Sequence, residues 1–196
     1  ITVANYFDCF GDNIETALSL PVHTLHLDLV RCSSQLDDII ESGKLNSYTH
    51  LSLGVVDGRN IWKNDYEKSL KLIQKAIDFI GAERILIAPS CSLLHSPIDL
   101  NLETNEENLS SEIKQWLAFA KQKLEEVATL KKLANKENLS ENLEKLTKNS
   151  EAHANRATSA LIHNQQLHQV RIISLIENIE IVARIKWCIW KGCNQI

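Results

Sequence analysis

The chain has 196 residues, of which 44% are hydrophobic and 23% charged, and its formal net charge is −4. These values suit one globular domain or part of a larger one. The mild acidic excess argues against nucleic acid and anionic membrane as partners. Five cysteines (Cys9, Cys32, Cys91, Cys188 and Cys193) are scattered without a C-x-x-C pair. An odd, unpaired set argues against a disulfide framework and for reduced thiols in a cytoplasmic setting.

The chain opens on a strand-like run, Ile1–Phe7, with no initiator methionine, and the sequence contains no methionine at all. The expectation is a piece of something larger. Three further apolar runs of strand length follow, Thr24–Val30, His50–Val56 and Arg84–Ala88. Amphipathic segments separate them: Ile14–Leu20, Gln35–Ser42 and Asp65–Ile80. In the last, Tyr66, Leu70, Ile73, Ile77 and Ile80 recur every three or four residues, the spacing of one buried helix face. Strands alternating with helices predict βαβ units on a parallel sheet. Four such units make half of a (β/α)8 barrel or most of a small doubly wound sheet.

No glycine-rich phosphate or dinucleotide fingerprint follows any strand; Gly54 and Gly58 are too far apart for one. Polar residues gather instead where the strands end: Asp8, Asp28 with Arg31, Asp57 with Arg59 and Asn60, then Ser90 and Cys91. In a barrel those ends form the rim on which sites are built. Taken alone, such residues are expected to cap helices or to pair with one another. An Asp57–Arg59 pair inside one tight turn is expected to satisfy itself. His23, His26 and His95 receive no functional role.

From Thr104 the pattern becomes helical. Thr104–Glu107 reads as a capping box, and Ile113, Trp116, Leu117, Ala120, Leu124, Val127 and Leu130 mark one face of a long helix. The charged run Lys121–Lys132 reads as its solvated side. A more polar helical stretch, Glu137–His163, is expected to fold back on it as a hairpin. Residues 170–196 change character again, rich in isoleucine with two tryptophans and two cysteines. With Glu177, Glu180, Arg184 and Lys186 inside it, this tail is a poor membrane span. The abrupt change reads as an out-of-frame tail of a decayed gene copy, expected to be poorly ordered.

Five motifs occur in order: YFDCFGDN, LPVHTLHLDLVR, LSLGVVDGRNIWKND, APSCSLLHSPIDLNLET and WLAFAKQKLEEVATL. Together they resemble the cobalamin-independent methionine synthases, the zinc-dependent 5-methyltetrahydropteroyltriglutamate–homocysteine methyltransferases. The resemblance covers roughly residues 2–164. It implies two duplicated (β/α)8 barrels in the family, with zinc and catalysis in the C-terminal one. Residues 1–103 would be the second half of the N-terminal barrel, 104–169 a helical segment leading toward the inter-barrel linker, and 170–196 the atypical tail. Folate polyglutamate and homocysteine are the implied substrates, and the missing barrel segments, in cis or in trans, the implied partners.

The family's zinc ligands follow a His-x-Cys, Glu, Cys pattern. Matched onto this chain through the duplication, Ala4 and Tyr6 fall at the His-x-Cys positions, Asp28 at the Glu and Cys91 at the last Cys. The resemblance therefore implies vestigial metal positions at Asp28 and Cys91, no zinc held by this segment and no catalytic residue in it. Arg59 and Asn60 are the candidate substrate contacts, chosen for rim position and chemistry. A non-catalytic helical interaction module is the alternative. A decarboxylase-like barrel ranks last, because only Arg31 and Arg59 would supply its rim arginines.

Overall fold

The structure, a computed structural model, describes residues 1–163. The expectations for residues 170–196, disorder and a frame change, lie outside the described residues. Two compact units divide the chain, Ile1–His153 and Ala154–Ile196. Of the second unit the described part is a helix end and the turn that follows it.

In the first unit β1 (Thr2–Ala4), β2 (Thr24–Asp28), β3 (His50–Val56) and β4 (Ile85–Pro89) form one parallel sheet in sequential order. Helices fill the crossovers: α1 (Ile14–Ser19), α2 (Gln35–Ser42) and α3 (Tyr66–Ile80). Parallel neighbours need such crossovers, so each apolar run lands beside its predecessor. Gly43 (φ 60°) ends α2 in the left-handed conformation that a Cβ disfavours. Asp65 starts α3 by accepting the Lys68 backbone N–H at 3.0 Å.

Register sorts the sheet's two faces. Leu25, Leu51 and Ile85 lie in one row, and Leu27, Leu53 and Ile87 in the next. These rows pack with Leu36 and Ile39 of α2, Ile73, Ala76 and Ile80 of α3, and a later residue, Leu130. Each fully buried leucine there contributes about 1.5–3 kcal/mol. The alternate row, Ala4, His26, Ser52 and Leu86, points the other way. It belongs to no helix-covered core, and Leu86 is 46% exposed.

The long helix expected from Ile113 to Leu130 is instead broken. α4 (Ser111–Lys114) and α5 (Ala120–Ala134) flank a turn and a short extended stretch across which Trp116, Leu117, Ala118 and Phe119 are all buried. A surface helix that packs one face on the core would not bury four consecutive side chains. The stretch pairs with the segment before α3: Lys63 N–H donates to the Trp116 carbonyl and Ala118 N–H to the Ile61 carbonyl, each at 2.8 Å. Thr104 starts no helix; Glu106 caps α4 by accepting the Ser111 N–H at 2.8 Å. Leu124, placed on the buried face by its spacing, is exposed. α6 (Leu139–Thr158) buries Asn142, Asn149 and Ala152 while exposing Leu139 and Leu143. Among the described residues no helix is long and apolar enough to cross a membrane.

Candidate functional site

The loops that leave the C-terminal ends of the strands meet at one rim, and Asp28 organises it. This side chain is fully buried at the end of β2. Its Oδ2 accepts the Phe7 N–H at 2.9 Å, and Oδ1 accepts the N–H groups of Val30 and Arg31 at 3.1 and 3.0 Å. Both carboxylate oxygens thus tie the β1 loop and the β2 loop together. Of the other three positions matched to the zinc pattern, Ala4 carries no ligand atom. Tyr6 packs edge-on against His26, ring centroids 5.4 Å apart. Cys91 is buried, and burial pushes its thiol pKa up. A thiol held protonated is a poor ligand and a poor nucleophile. Among the described residues no three His, Cys, Asp or Glu side chains converge as a metal-holding group.

Gly54 and Gly58 have packing work where the sequence showed no phosphate motif. A Cβ on Gly54 would lie 2.6 Å from the Leu27 carbonyl oxygen and 2.8 Å from Ser90 Cα. On Gly58 it would lie 2.8 Å from the Cys91 carbonyl oxygen and 2.9 Å from its Sγ. The β3 and β4 loops therefore touch backbone to backbone. His26, given no role from sequence, links three strands: Nδ1 bonds Ser52 Oγ at 2.9 Å and Nε2 bonds the Ser90 carbonyl at 3.2 Å. His95 is exposed at the end of a 3-10 turn, Leu93–His95.

The Asp57–Asn60 turn satisfies itself only in part. Asp57 accepts the Arg59 N–H at 2.8 Å and the Asn60 Nδ2 at 2.7 Å. Its ion pair, however, is with Arg31 of the neighbouring loop at 2.8 Å, not with the Arg59 side chain. That contact raises the Arg31 pKa above its ordinary value. Arg59 is exposed and lays its guanidinium over the Phe7 ring, 4.6 Å from the centroid. Asn60 is committed elsewhere: Oδ1 accepts the Trp62 N–H at 3.1 Å and Lys123 Nζ at 3.4 Å. Of the two candidate contacts, only Arg59 has a side chain open to an incoming anion.

Two features escaped the sequence. The first lies in the charged run of α5, where Lys123 is fully buried and Glu126 is 4% exposed. Lys123 also donates to the Trp62 carbonyl at 3.1 Å, and Glu126 Oε1 accepts the Asn64 N–H at 2.9 Å. Glu126 Oε2 is buried without a hydrogen-bond partner among the described residues, and burial pushes this carboxyl up to about 7. Burial lowers the pKa of Lys123 and of Lys63. Lys123 and Glu126 buttress the segment that carries Asn60. Its signal in the sequence is faint: a lysine and a glutamate three apart look the same on a wet helix face.

The second is a disulfide between Cys9 and Cys32, Cα atoms 5.3 Å apart. The expectation that all thiols are unpaired fails for these two, and among the described cysteines Cys91 is the free one. The spacing of 23 residues gives no local cue. Strand pairing does: Cys9 lies five residues past Ala4 and Cys32 four past Asp28, at similar offsets on adjacent parallel strands.

Residues 1–80 match the family profile described as "Cobalamin-independent synthase, N-terminal domain". Three similar curated proteins carry the name 5-methyltetrahydropteroyltriglutamate--homocysteine methyltransferase. That of Flavobacterium johnsoniae is 65% identical over 167 residues, 85% of this chain and 22% of the relative. That of Cytophaga hutchinsonii is 58% identical over 165 residues, 84% of this chain and 21% of the relative. That of Saccharomyces cerevisiae is 40% identical over 179 residues, 91% of this chain and 22% of the relative. The chain spans about a fifth of the length of the curated relatives it matches.

Proposed function

This chain belongs to the cobalamin-independent methionine synthase family, as a stretch of its N-terminal domain, and from that premise we propose a supporting role in methyl transfer. In the proposed reading it forms the later half of a (β/α)8 barrel. The assembled enzyme moves a methyl group from 5-methyltetrahydrofolate polyglutamate to homocysteine, giving methionine. The observation that carries the reading is 65% identity over 167 residues to a relative bearing that activity's name. The sheet fits it: four sequential parallel strands carry an apolar core on one face and leave the row Ala4, His26, Ser52 and Leu86 without one. Parallel sheets ordinarily cover both faces, and barrel closure is one way to cover the second.

The zinc belongs to the C-terminal catalytic barrel, where it would hold the homocysteine sulfur as a thiolate at neutral pH. The four matched positions of this chain do not fit a zinc, since Asp28 is saturated by backbone N–H groups and Ala4 and Tyr6 supply no ordinary ligand. This segment therefore contributes a scaffold and, at its rim, a cation. Arg59 is its contact for a carboxylate of the folate's glutamate tail.

A chimera tests this. The matching 167 residues of the Flavobacterium johnsoniae relative are replaced by those of this chain, and methionine formation is measured with mono- and triglutamate methyltetrahydrofolate. The chimera is expected to turn over. Arg59→Ala within it should raise KM for the triglutamate about fivefold with kcat kept, the size of an exposed charge contact of roughly 1 kcal/mol. A folded chimera that makes no methionine overturns the supporting role. An unchanged KM removes Arg59 from the tail site.

A further inference from the structure

We propose that Cys9 and Cys32 are a reversible thiol–disulfide couple whose oxidation clamps the β1 loop, and with it Phe7 under Arg59, onto the β2 loop. The inference stands on the rim geometry and not on the methyl-transfer reading.

Three observations meet here. First, the two sulfurs are bonded across loops that leave adjacent parallel strands. Second, each cysteine is positioned by contacts that do not depend on the bond. The Cys32 N–H donates to the Asp28 carbonyl at 3.2 Å, and its Sγ lies 3.5 Å from Ser34 Oγ. The loop that carries Cys9 is tied to the end of β2 by the Phe7 N–H, which donates to Asp28 Oδ2 at 2.9 Å. Reduction would therefore leave the thiols near each other and ready to close again, as a reversible couple requires. Third, Cys9 is half-buried whereas Cys32 is buried. Cys9 is thus the sulfur that an external reagent reaches, and Cys32 the one that resolves.

The coupling to the rim is direct. Phe7 stands two residues before Cys9 with φ 78°, a conformation that a bulky side chain rarely adopts without being held. Its holders are the Asp28 carboxylate at 2.9 Å, the Arg59 guanidinium at 4.6 Å and the disulfide. Opening the bond removes the one covalent tie between this loop and the buried Cys32. Phe7 is then held by Asp28 and Arg59 alone, and the platform under Arg59 loosens.

A low-molecular-weight disulfide such as oxidised glutathione serves as the oxidant. The Cys9 thiolate attacks one of its sulfurs, forming a mixed disulfide and expelling one thiolate. The Cys32 thiolate then attacks the Cys9 sulfur and expels the second. One protein disulfide forms, two protons leave the cysteine thiols, and the two electrons reside in two molecules of reduced thiol.

The test uses the full 196-residue chain. It is equilibrated in glutathione buffers of graded ratio, quenched in acid, alkylated and mapped by peptide mass spectrometry, with hydrogen exchange followed in parallel. The expected result is one Cys9–Cys32 crosslink that appears and disappears reversibly with the buffer while Cys91 stays free. Exchange across Phe7–Phe10 should be at least tenfold slower in the oxidised form. Cys9→Ala should show the fast rate in every buffer. Pairing of either cysteine with Cys91, Cys188 or Cys193 overturns the proposal. So do alkylation of both thiols at all ratios, a crosslink that survives every reducing buffer, or exchange that ignores the redox state.

Discussion

The two faces of the sheet differ in how they are finished. On one, the rows Leu25–Leu51–Ile85 and Leu27–Leu53–Ile87 sit under α2, α3 and α5 in a continuous apolar core. On the other, Ala4, His26, Ser52 and Leu86 form a row whose ends are open. Among the described residues its middle is closed, by His26 bridging Ser52 and Ser90 and by Gly54 admitting the β4 loop. A parallel sheet this lopsided has its stability on one side and its unspent surface on the other. The contrast explains how one segment can carry a well-packed core and still be an incomplete structural unit in the proposed barrel.

The largest test of the contrast pairs two leucines of neighbouring strands. Leu53→Ala on the covered face should cost about 2–5 kcal/mol in denaturant unfolding, through lost transfer energy and a residual cavity. Leu86→Ala on the open face should change stability by less than about 0.5 kcal/mol, because that side chain is already 46% exposed. Equal costs would mean that the second face is packed after all.

Next in size is a pH effect confined to the covered side. Glu126 of α5 has an ordinary pKa of 4.5, raised in the folded chain to about 7 mainly by burial. The folded state therefore binds this proton more tightly than the unfolded state. Stability should fall as pH rises from about 4.5 through 7, by on the order of 3 kcal/mol at most. Glu126→Gln should flatten that slope while keeping an acceptor for the Asn64 N–H. A slope unchanged in the variant would assign the pH dependence to another group.

Gly58→Ala probes the closed middle of the other side. Its Cβ would collide with backbone and sulfur of Cys91 at 2.8 and 2.9 Å, so a loss of about 1–3 kcal/mol is expected in thermal or denaturant unfolding. No loss would mean that the two loops do not touch as closely as described. Smallest of all, Arg59→Ala should move stability by less than about 1 kcal/mol, since an exposed cation–π contact is all that it removes. A larger loss would make Arg59 a structural residue and weaken its candidacy at the rim.

Local periodicity made the sheet readable. His50–Val56 and Gln35–Ser42 have in the structure the bounds that their apolar patterns predict, because each is decided by its own residues. Where distant partners decide, the pattern misled. Trp116–Phe119 has helical spacing but is drawn into extended pairing with Ile61–Lys63. Lys123 and Glu126 look solvated until the loop around Asn60 folds over them. Asp57 found Arg31 across a strand rather than Arg59 beside it. Asp28 and Cys91 stand out through the match to the family's zinc pattern. The structure gives Asp28 a capping role and leaves Cys91 a buried, protonated thiol.

The central proposal is that the open face and the edges of β1 and β4, which pair with no further strand among the described residues, take further strands in the proposed barrel. It is tested most directly by mixing this chain with the separately produced N-terminal domain of the Flavobacterium johnsoniae relative from which the matched 167 residues have been removed. Hydrogen exchange is then followed at Thr2–Ala4 and Ile85–Pro89. The account predicts a one-to-one complex in which both edge strands gain protection as their unpaired backbone groups find partners. A chain that stays monomeric in the mixture, unfolds cooperatively with a sharp midpoint and shows unchanged edge exchange would contradict it.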